Sequence, residues 1–250
     1  MLHQPNVLTI AGSDSSSGAG IQADLKTFAA HEVYGTSVIT NITAQNTRNI
    51  SDIFILPAKI IERQLEAVFD DIDISAVKIG MLNTAATIKV VVKLLRKYQP
   101  EHVIIDPIIR SSSGKALLEE NALDVLVNEL FPLGTLITPN IPEAAIILNK
   151  NESQIHAELG QCVTELQQLT ATSVLLKGGH MPGELCINTL SHNRELFQFK
   201  QPKLLSVNTH GTGCTLASAI CANLARKTPL PKSVELATNY LHNAIQSSHI

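Results

Sequence analysis

The chain has 250 residues, 44% of them hydrophobic and 16% charged, and its 19 basic and 22 acidic side chains leave a formal net charge of −3. That is apolar material for one large α/β domain over residues 1–250, with no linker dividing it. The balanced charge excludes a protein that coats nucleic acid, and no apolar run approaches the ~18 residues of a membrane span. In chain order, 6–11 reads as a buried strand stopped by Gly12, 36–43 as a second strand, and 52–56 as a short β-rich run. Pro57 opens a helix with apolar positions at Ile60, Ile61, Leu65, Val68 and Phe69. A strand at 76–79, a helix at 84–98, a strand at 102–105, a helix at 117–130 and a strand at 135–138 follow. Ile155, Leu159, Cys162, Val163, Leu166 and Leu169 fall on one helical stripe, with Cys162 in the core. A strand at 173–176 stops at Gly178-Gly179. Residues 184–189 and 195–200 flank His192-Asn193-Arg194 as a hairpin, and helices at 216–225 and 232–247 close the chain.

Alternating strands and helices with continuous apolar strands predict a parallel sheet covered on both faces, and the late hairpin predicts antiparallel strands at one edge. Cys162, Cys186, Cys214 and Cys221 form no CxxC pair and match no zinc spacing, so free thiols in a reducing compartment are expected. Without a basic, apolar leader at the N-terminus, the expected location is cytoplasmic. The Asn-x-Ser/Thr sequons at Asn41 and Asn151 read as chance.

Open α/β sheets bind ligands beyond the carboxyl ends of their strands, so the polar segments there carry the functional reading. Asn208–Thr215, NTHGTGCT, runs straight into an apolar helix. Gly211 and Gly213 let backbone N–H groups turn inward beside the positive end of that helix, which makes an anion site; a plain glycine turn capped by Thr is the alternative. Cys214 sits where a helix dipole favours the thiolate, or it is a small filler. Lys177, in Lys177-Gly-Gly-His180, emerges from a strand end and can reach a phosphate as a point charge, or it is merely solvated. His180 reads as a turn residue.

Asn140 and Glu143, in Thr138-Pro-Asn-Ile-Pro-Glu143, are spaced as a capping box. Glu143 and Asp106 end neighbouring strands and would suit magnesium held through water. Gly12–Gly20 resembles a phosphate loop without the Walker spacing, and Ser111–Lys115 has Ala116 where that motif needs Ser or Thr. No GxGxxG supports a Rossmann cofactor. Gln45, just past a strand, has the paired donor and acceptor to read an aminopyrimidine edge, as amides read adenine, or it is a solvated loop amide.

Ala11–Thr27, Val38-Ile-Thr, Ala44-Gln-Asn-Thr47, Lys78-Ile-Gly-Met-Leu82, Asp106-Pro, Thr138–Ala144, Lys177–His180 and His210–Thr215 together resemble the hydroxymethylpyrimidine/phosphomethylpyrimidine kinases of thiamine biosynthesis. The matches run in order over almost the whole chain. The resemblance implies a three-layer α/β/α ribokinase-like fold, with a mostly parallel central sheet and antiparallel edge strands. It implies a homodimer, using ATP and Mg²⁺ to phosphorylate the pyrimidine hydroxymethyl and then the monophosphate. Carried over by motif, Asp24, Gln45 and Met81 would line the pyrimidine. Gly211, Thr212 and Gly213 would form the anion hole, with Cys214 where related sugar kinases carry an aspartate base. Lys177, Asn140, Glu143 and Asp106 would serve phosphates and magnesium.

Three departures stand out: Ser15 where the family usually has Pro, Ser17 where it has Gly, and Lys115 where it has Asp. The usual Gly-Pro and His-Phe tail is not found before Ile250. A pyridoxal/pyridoxine kinase is the alternative enzyme, since it too phosphorylates a hydroxymethyl on an aromatic nitrogen ring. A weakened homologue that binds the pyrimidine without transferring phosphate is the alternative of another class.

Overall fold

The structure is a computed structural model that describes residues 4–111, 114–179, 183–204 and 210–248. Its centre is a nine-stranded sheet in the order β3-β2-β1-β4-β5-β6-β7-β8-β9. β1 (Asn6–Asp14) lies parallel between β2 (Tyr34–Gln45) and β4 (Ile74–Ile79). β5 (His102–Ile105), β6 (Leu136–Ile137) and β7 (Ser173–Leu176) continue in parallel. The expected antiparallel edge is β8 (Leu185–His192) with β9 (Glu195–Pro202). Their turn holds Asn193 and Arg194 at φ 52° and 66°, the left-handed pair of a tight hairpin. The opposite edge is antiparallel too: β3 (Ile50–Ile55) folds back on β2.

Strand residues alternate between two cores. Leu8, Ile10, Val77, Ile79, Ile105, Ile137, Val174 and Leu176 face one layer. Val7, Ala76, Ile104, Leu136 and Leu175 face the other, so each strand is buried on both sides. The first layer includes α2 (Ala58–Phe69), α3 (Ala85–Tyr98), α5 (Ile141–Leu148), α6 (Glu152–Ala157) and α7 (Leu159–Thr170). The second holds α1 (Gly20–Ala30), α8 (Thr212–Ala225) and α9 (Leu230–Gln246). Every residue of α8 from Leu216 to Ala225 is buried, as expected of a helix that is apolar all round.

Two helical expectations are corrected. The helix expected over 117–130 begins only at Glu120, because the Asn83 carbonyl takes the Glu119 N–H and the Asn83 amide donates to the Leu117 carbonyl. It then passes from a 3₁₀ turn through one α turn, α4 (Leu123–Val125), to a π turn at Leu126–Leu130 and a 3₁₀ turn at Phe131–Leu133. Pro132 has no N–H for the carbonyl four residues back, so a regular α ladder cannot run through it. The stripe over 155–169 is broken between α6 and α7 at Glu158, whose φ of −125° leaves the helical region. The break shifts the phase, so Cys162 stays buried and Leu169 is exposed.

Candidate active site

Three adjacent strands deliver the charged groups. Asp106 follows β5, Asn140 and Glu143 follow β6, and Lys177 follows β7. The Lys177 N–H donates to the Pro139 carbonyl, which ties the two strand ends together. Lys177 Nζ is 2.7 Å from Asp106 Oδ1 and 4.0 Å from Glu143 Oε2. The Thr138 hydroxyl donates to the same Asp106 oxygen at 2.9 Å. The expected capping box is present: Asn140 Oδ1 accepts from the Glu143 N–H, and Glu143 Oε2 accepts from the Asn140 N–H, both at 2.8 Å.

The electrostatics follow from burial. Burial alone would depress the Lys177 ammonium, but Asp106 and Glu143 outweigh it and hold it above its ordinary value. Burial would raise Asp106, but Lys177 and Lys78 hold it below its ordinary value. Burial drives Glu143 up, with Lys177 opposing and Asp106 adding, and leaves it at about 7. Burial first, and the Asp106 charge after it, disfavour the ionised Glu143 carboxylate, and a nearby cation would favour it. Among the described residues no group of three or more His, Cys, Asp or Glu side chains could hold a metal ion. Magnesium needs no such cage, since it keeps most of its waters and takes one or two carboxylates plus phosphate oxygens. Asp106 and Glu143 fit that form of binding.

The glycine turn faces these charges. Gly211 caps α8 at φ 80°, and a side chain there would meet the Gly18 carbonyl at 1.7 Å. Gly213 is different: a Cβ on it would lie 3.4 Å from Lys177 Nζ and 3.5 Å from Asp106 Oδ2. The positive end of α8 therefore lies beside Lys177 and Asp106, with Gly213 nearest to them. Asn208 and Thr209, which open the motif, lie outside the described residues, as do Ser112, Ser113 and His180.

Cys214 lies in the first turn of the same helix. It is buried, and burial pushes its thiol up despite the opposing Lys78 ammonium and the Gly20 N–H. Burial therefore outweighs those two contacts, and the thiol is protonated at neutral pH.

Gln45 ends β2 at the cleft. Its Nε2 lies 3.3 Å from His210 Nε2, its Oε1 lies 3.1 Å from the Thr43 hydroxyl, and the Ser15 hydroxyl bonds its main chain. Met81 is buried, with its carbonyl accepting from the Thr40 hydroxyl at 2.6 Å. Asp24, expected beside the pyrimidine, lies one layer deeper with no exposed surface. It is salt-bridged to Lys78 Nζ at 2.8 Å and accepts from the hydroxyls of Thr9 at 2.6 Å and Ser218 at 2.7 Å. It supports the floor of the cleft rather than lining it.

Sequence reasoning gave no role to Lys78, Thr138, Asp14 or His210. His210 Nε2 is 2.8 Å from Asp14 Oδ2, and a side chain on Gly18 would strike its ring at 2.3 Å. The turn 210–213 thus touches Gln45 at one end and faces Lys177 and Asp106 at the other. A cavity of about 320 Å³ lined by Phe69, Asp73 and Tyr98 lies at the opposite ends of the strands and holds none of these groups.

This is the ribokinase-like architecture, and the charges gathered at its strand ends are those of a small-molecule kinase. Residues 14–250 match the family model described as phosphomethylpyrimidine kinase. A hydroxymethylpyrimidine/phosphomethylpyrimidine kinase of Rhizobium meliloti is 43% identical over 241 residues, 96% of this chain and 90% of that one. A thiamine biosynthesis bifunctional protein of Geobacter sulfurreducens is 44% identical over 96% of this chain and 49% of its own length. Among solved structures, a phosphomethylpyrimidine kinase of Clostridium difficile superposes at a TM-score of 0.83 with 43% identity, covering 97% of this chain and all of that one. A Bacillus subtilis pyridoxal kinase in an ADP complex superposes at 0.91 with 31% identity, covering 99% of this chain and 94% of that one. The chain belongs to the phosphomethylpyrimidine kinase family.

Proposed function

We propose that this chain phosphorylates 4-amino-5-hydroxymethyl-2-methylpyrimidine with ATP, and then its monophosphate to the diphosphate, as a single kinase domain in thiamine biosynthesis. The observation that carries the reading is the turn 210–213, which links a ring-reading amide to a phosphate-binding charge cluster.

In this reading the pyrimidine edge pairs with Gln45 and the ring lies beside Met81. Lys177 neutralises the phosphates as a fixed point charge, and its bond to Asp106 holds it in place. The first-turn amides of α8 receive the charge that develops on the transferring group. Asp106 and Glu143 would hold magnesium through water, and that ion would offset charge on the phosphate oxygens. Asn140 fixes Glu143 through the capping box. Phosphoryl transfer is largely dissociative, so the attacking hydroxyl keeps its proton until late, and a protonated Cys214 is no obstacle. The proton then passes from the substrate oxygen to an oxygen of the transferred phosphoryl group, because the Cys214 thiol already holds its own.

We also infer a homodimer, supported by exposed Ile42 and exposed Phe54, which pair across the β2–β3 edge. Phe54→Glu should give a monomer by light scattering. A cytoplasmic setting is supported by four free cysteines. No helix among the described residues is long and apolar enough to cross a membrane.

The direct test is a coupled ADP-release assay with the hydroxymethylpyrimidine, its monophosphate and pyridoxal side by side. Turnover of the first two, with pyridoxal at least ten times poorer in kcat/KM (roughly the effect of one unmatched polar contact), is the expected result. A preference for pyridoxal would replace this reading with the neighbouring kinase activity. Binding of the pyrimidine without ADP release would mark a weakened homologue.

A further inference from the structure

Two hydrogen-bond conflicts meet at Gln45. Asp14 is buried, and although burial would raise its carboxyl, bonds from His210, Ser16 and Ala19 hold it below its ordinary value. It is therefore an acceptor only, and His210 Nε2, 2.8 Å away, must carry the hydrogen. The same Nε2 faces Gln45 Nε2 at 3.3 Å, donor against donor. On the other side, the Thr43 hydroxyl has one hydrogen and two acceptors in reach, the Ser13 carbonyl at 3.0 Å and Gln45 Oε1 at 3.1 Å.

A half-turn of the Gln45 amide exchanges its nearly isosteric oxygen and nitrogen, replaces the donor-against-donor contact with an attractive one, and frees the Thr43 hydroxyl for Ser13. The oxygen then lies 3.3 Å from the Nε2–H that His210 directs to Asp14 and shares that hydrogen, and the nitrogen donates to Thr43, which is left to donate to Ser13. This holds whether or not His210 carries a second proton, since Nε2 is the donor in both forms.

We infer that His210, anchored on Asp14, is a positioning residue that locks the Gln45 amide with its oxygen on the His210 side and so sets which pyrimidine edge the site accepts. The inference rests on Gln45 being the ring reader. A carboxamide has two acceptor lone pairs and two N–H donors. His210 and Thr43 use one of each, and one of each remains for a ligand. The lock orders them: an acceptor on the His210 side and a donor on the Thr43 side. A 4-aminopyrimidine matches this with its exocyclic amine towards His210 and its ring nitrogen towards Thr43. A 4-oxopyrimidine offers the reverse order and pairs only with an amide turned the other way. Ser15, bonded to both main-chain groups of Gln45, fixes the backbone from which the amide reaches His210 and Thr43.

The experiment compares kcat/KM for 4-amino and 4-oxo hydroxymethylpyrimidines in the wild type, His210→Ala, His210→Gln and Gln45→Ala, with thermal melts to confirm folding. His210→Ala is expected to narrow the amino-over-oxo ratio by about tenfold, while kcat for the amino substrate stays within about threefold. His210→Gln retains a donor and is expected to recover most of the ratio. If His210→Ala fails to fold, His210→Leu fills similar space without a donor and should narrow the ratio in the same way. A folded donor-less variant with the wild-type ratio overturns the positioning role. If Gln45→Ala keeps the wild-type pyrimidine KM, the underlying reading of Gln45 fails instead, and the positioning role with it.

Discussion

The Ser15 hydroxyl meets both main-chain polar groups of Gln45, donating to its carbonyl at 2.7 Å and accepting from its N–H at 2.9 Å. One side chain from the loop after β1 therefore does for the end of β2 what another strand would do. Ser15 stands where the family usually has proline, which has no hydroxyl to offer. In this chain the loop is joined to the substrate amide by hydrogen bonds rather than stiffened by a ring.

Ser15→Ala should therefore loosen Gln45 without touching the phosphate side. The bonds are exposed, so the stability loss should stay near 1 kcal/mol or below. The pyrimidine KM should rise severalfold, about the effect of one weakened hydrogen bond, with the ATP KM unchanged. Steady-state kinetics with each substrate varied in turn would show this; an equal rise in both KM values would contradict it.

The two glycines of the α8 turn should fail for different reasons. Gly211→Ala puts a Cβ into the Gly18 carbonyl and forces an L-residue to φ 80°, so it should destabilise the fold by several kcal/mol. Gly213→Ala meets only ordinary contact distances and should fold normally. Gly213→Val fills the space before Lys177 and Asp106 and should lower kcat at least as much as Cys214→Ala does. Chemical denaturation alongside kcat at saturating substrates separates the two effects.

Cys214→Ala should lower kcat with little change in pyrimidine affinity, since it removes the thiol that packs at the start of α8 beside the attacking oxygen, and positioning of that oxygen carries part of the rate. A folded variant at full rate would reduce Cys214 to a filler at the helix start. Its raised thiol also predicts slow alkylation of Cys214 by iodoacetamide in the ligand-free protein, measurable by peptide mass spectrometry.

Glu143 makes stability depend on pH in a defined direction. Its carboxyl titrates at about 7 when folded, against an ordinary 4.5. Between those values the folded protein binds more protons than the unfolded chain, so on this group's account stability falls as pH rises from about 4.5 to about 7 and is level above. Glu143→Gln keeps the capping box but removes the charge. Its melting temperature relative to wild type should therefore rise between pH 5 and pH 8, in chelator and without nucleotide (about the two sides of that window). The same variant should turn over poorly with Mg-ATP. A flat melting difference across that range would show that Glu143 is ionised in the free protein. Lys177→Ala should likewise cut kcat while leaving pyrimidine binding intact, as isothermal calorimetry without ATP would show.

The alternation of strands with helices and the placing of Asp106, Glu143 and Lys177 at strand ends were legible because an apolar run precedes each turn. The capping box was legible because its spacing is local. The break before α7 was not, since Glu158 is an ordinary helix former and its φ is set by packing. Nor was the late helix start, which depends on Asn83 reaching across to Leu117 and Glu119. The cleft floor was misread for the same reason. Asp24 sits in a loop-and-helix motif that looks ligand-facing, and only Lys78, 54 residues away, shows that it is already partnered. At Cys214 the choice between thiolate and buried filler stayed open, because burial is set by packing that no spacing shows.

That buried pair has a consequence for how the protein comes apart. Thr9 on β1, Asp24 on α1, Lys78 on β4 and Ser218 on α8 close one polar knot in the interior, with partners up to 194 residues apart. Neither half of the chain can complete it, and removing one member strands charge in a dry place. Fragments that end before α8 should therefore not persist as partly folded kinases, and α8 should not fray on its own. Amide hydrogens in α1 and α8 should exchange with the same opening free energy, because the knot ties the glycine turn to the first strand of the sheet. Assembly of the knot then falls late in folding, when the last third of the chain returns to the first, and the site forms only as the whole molecule does.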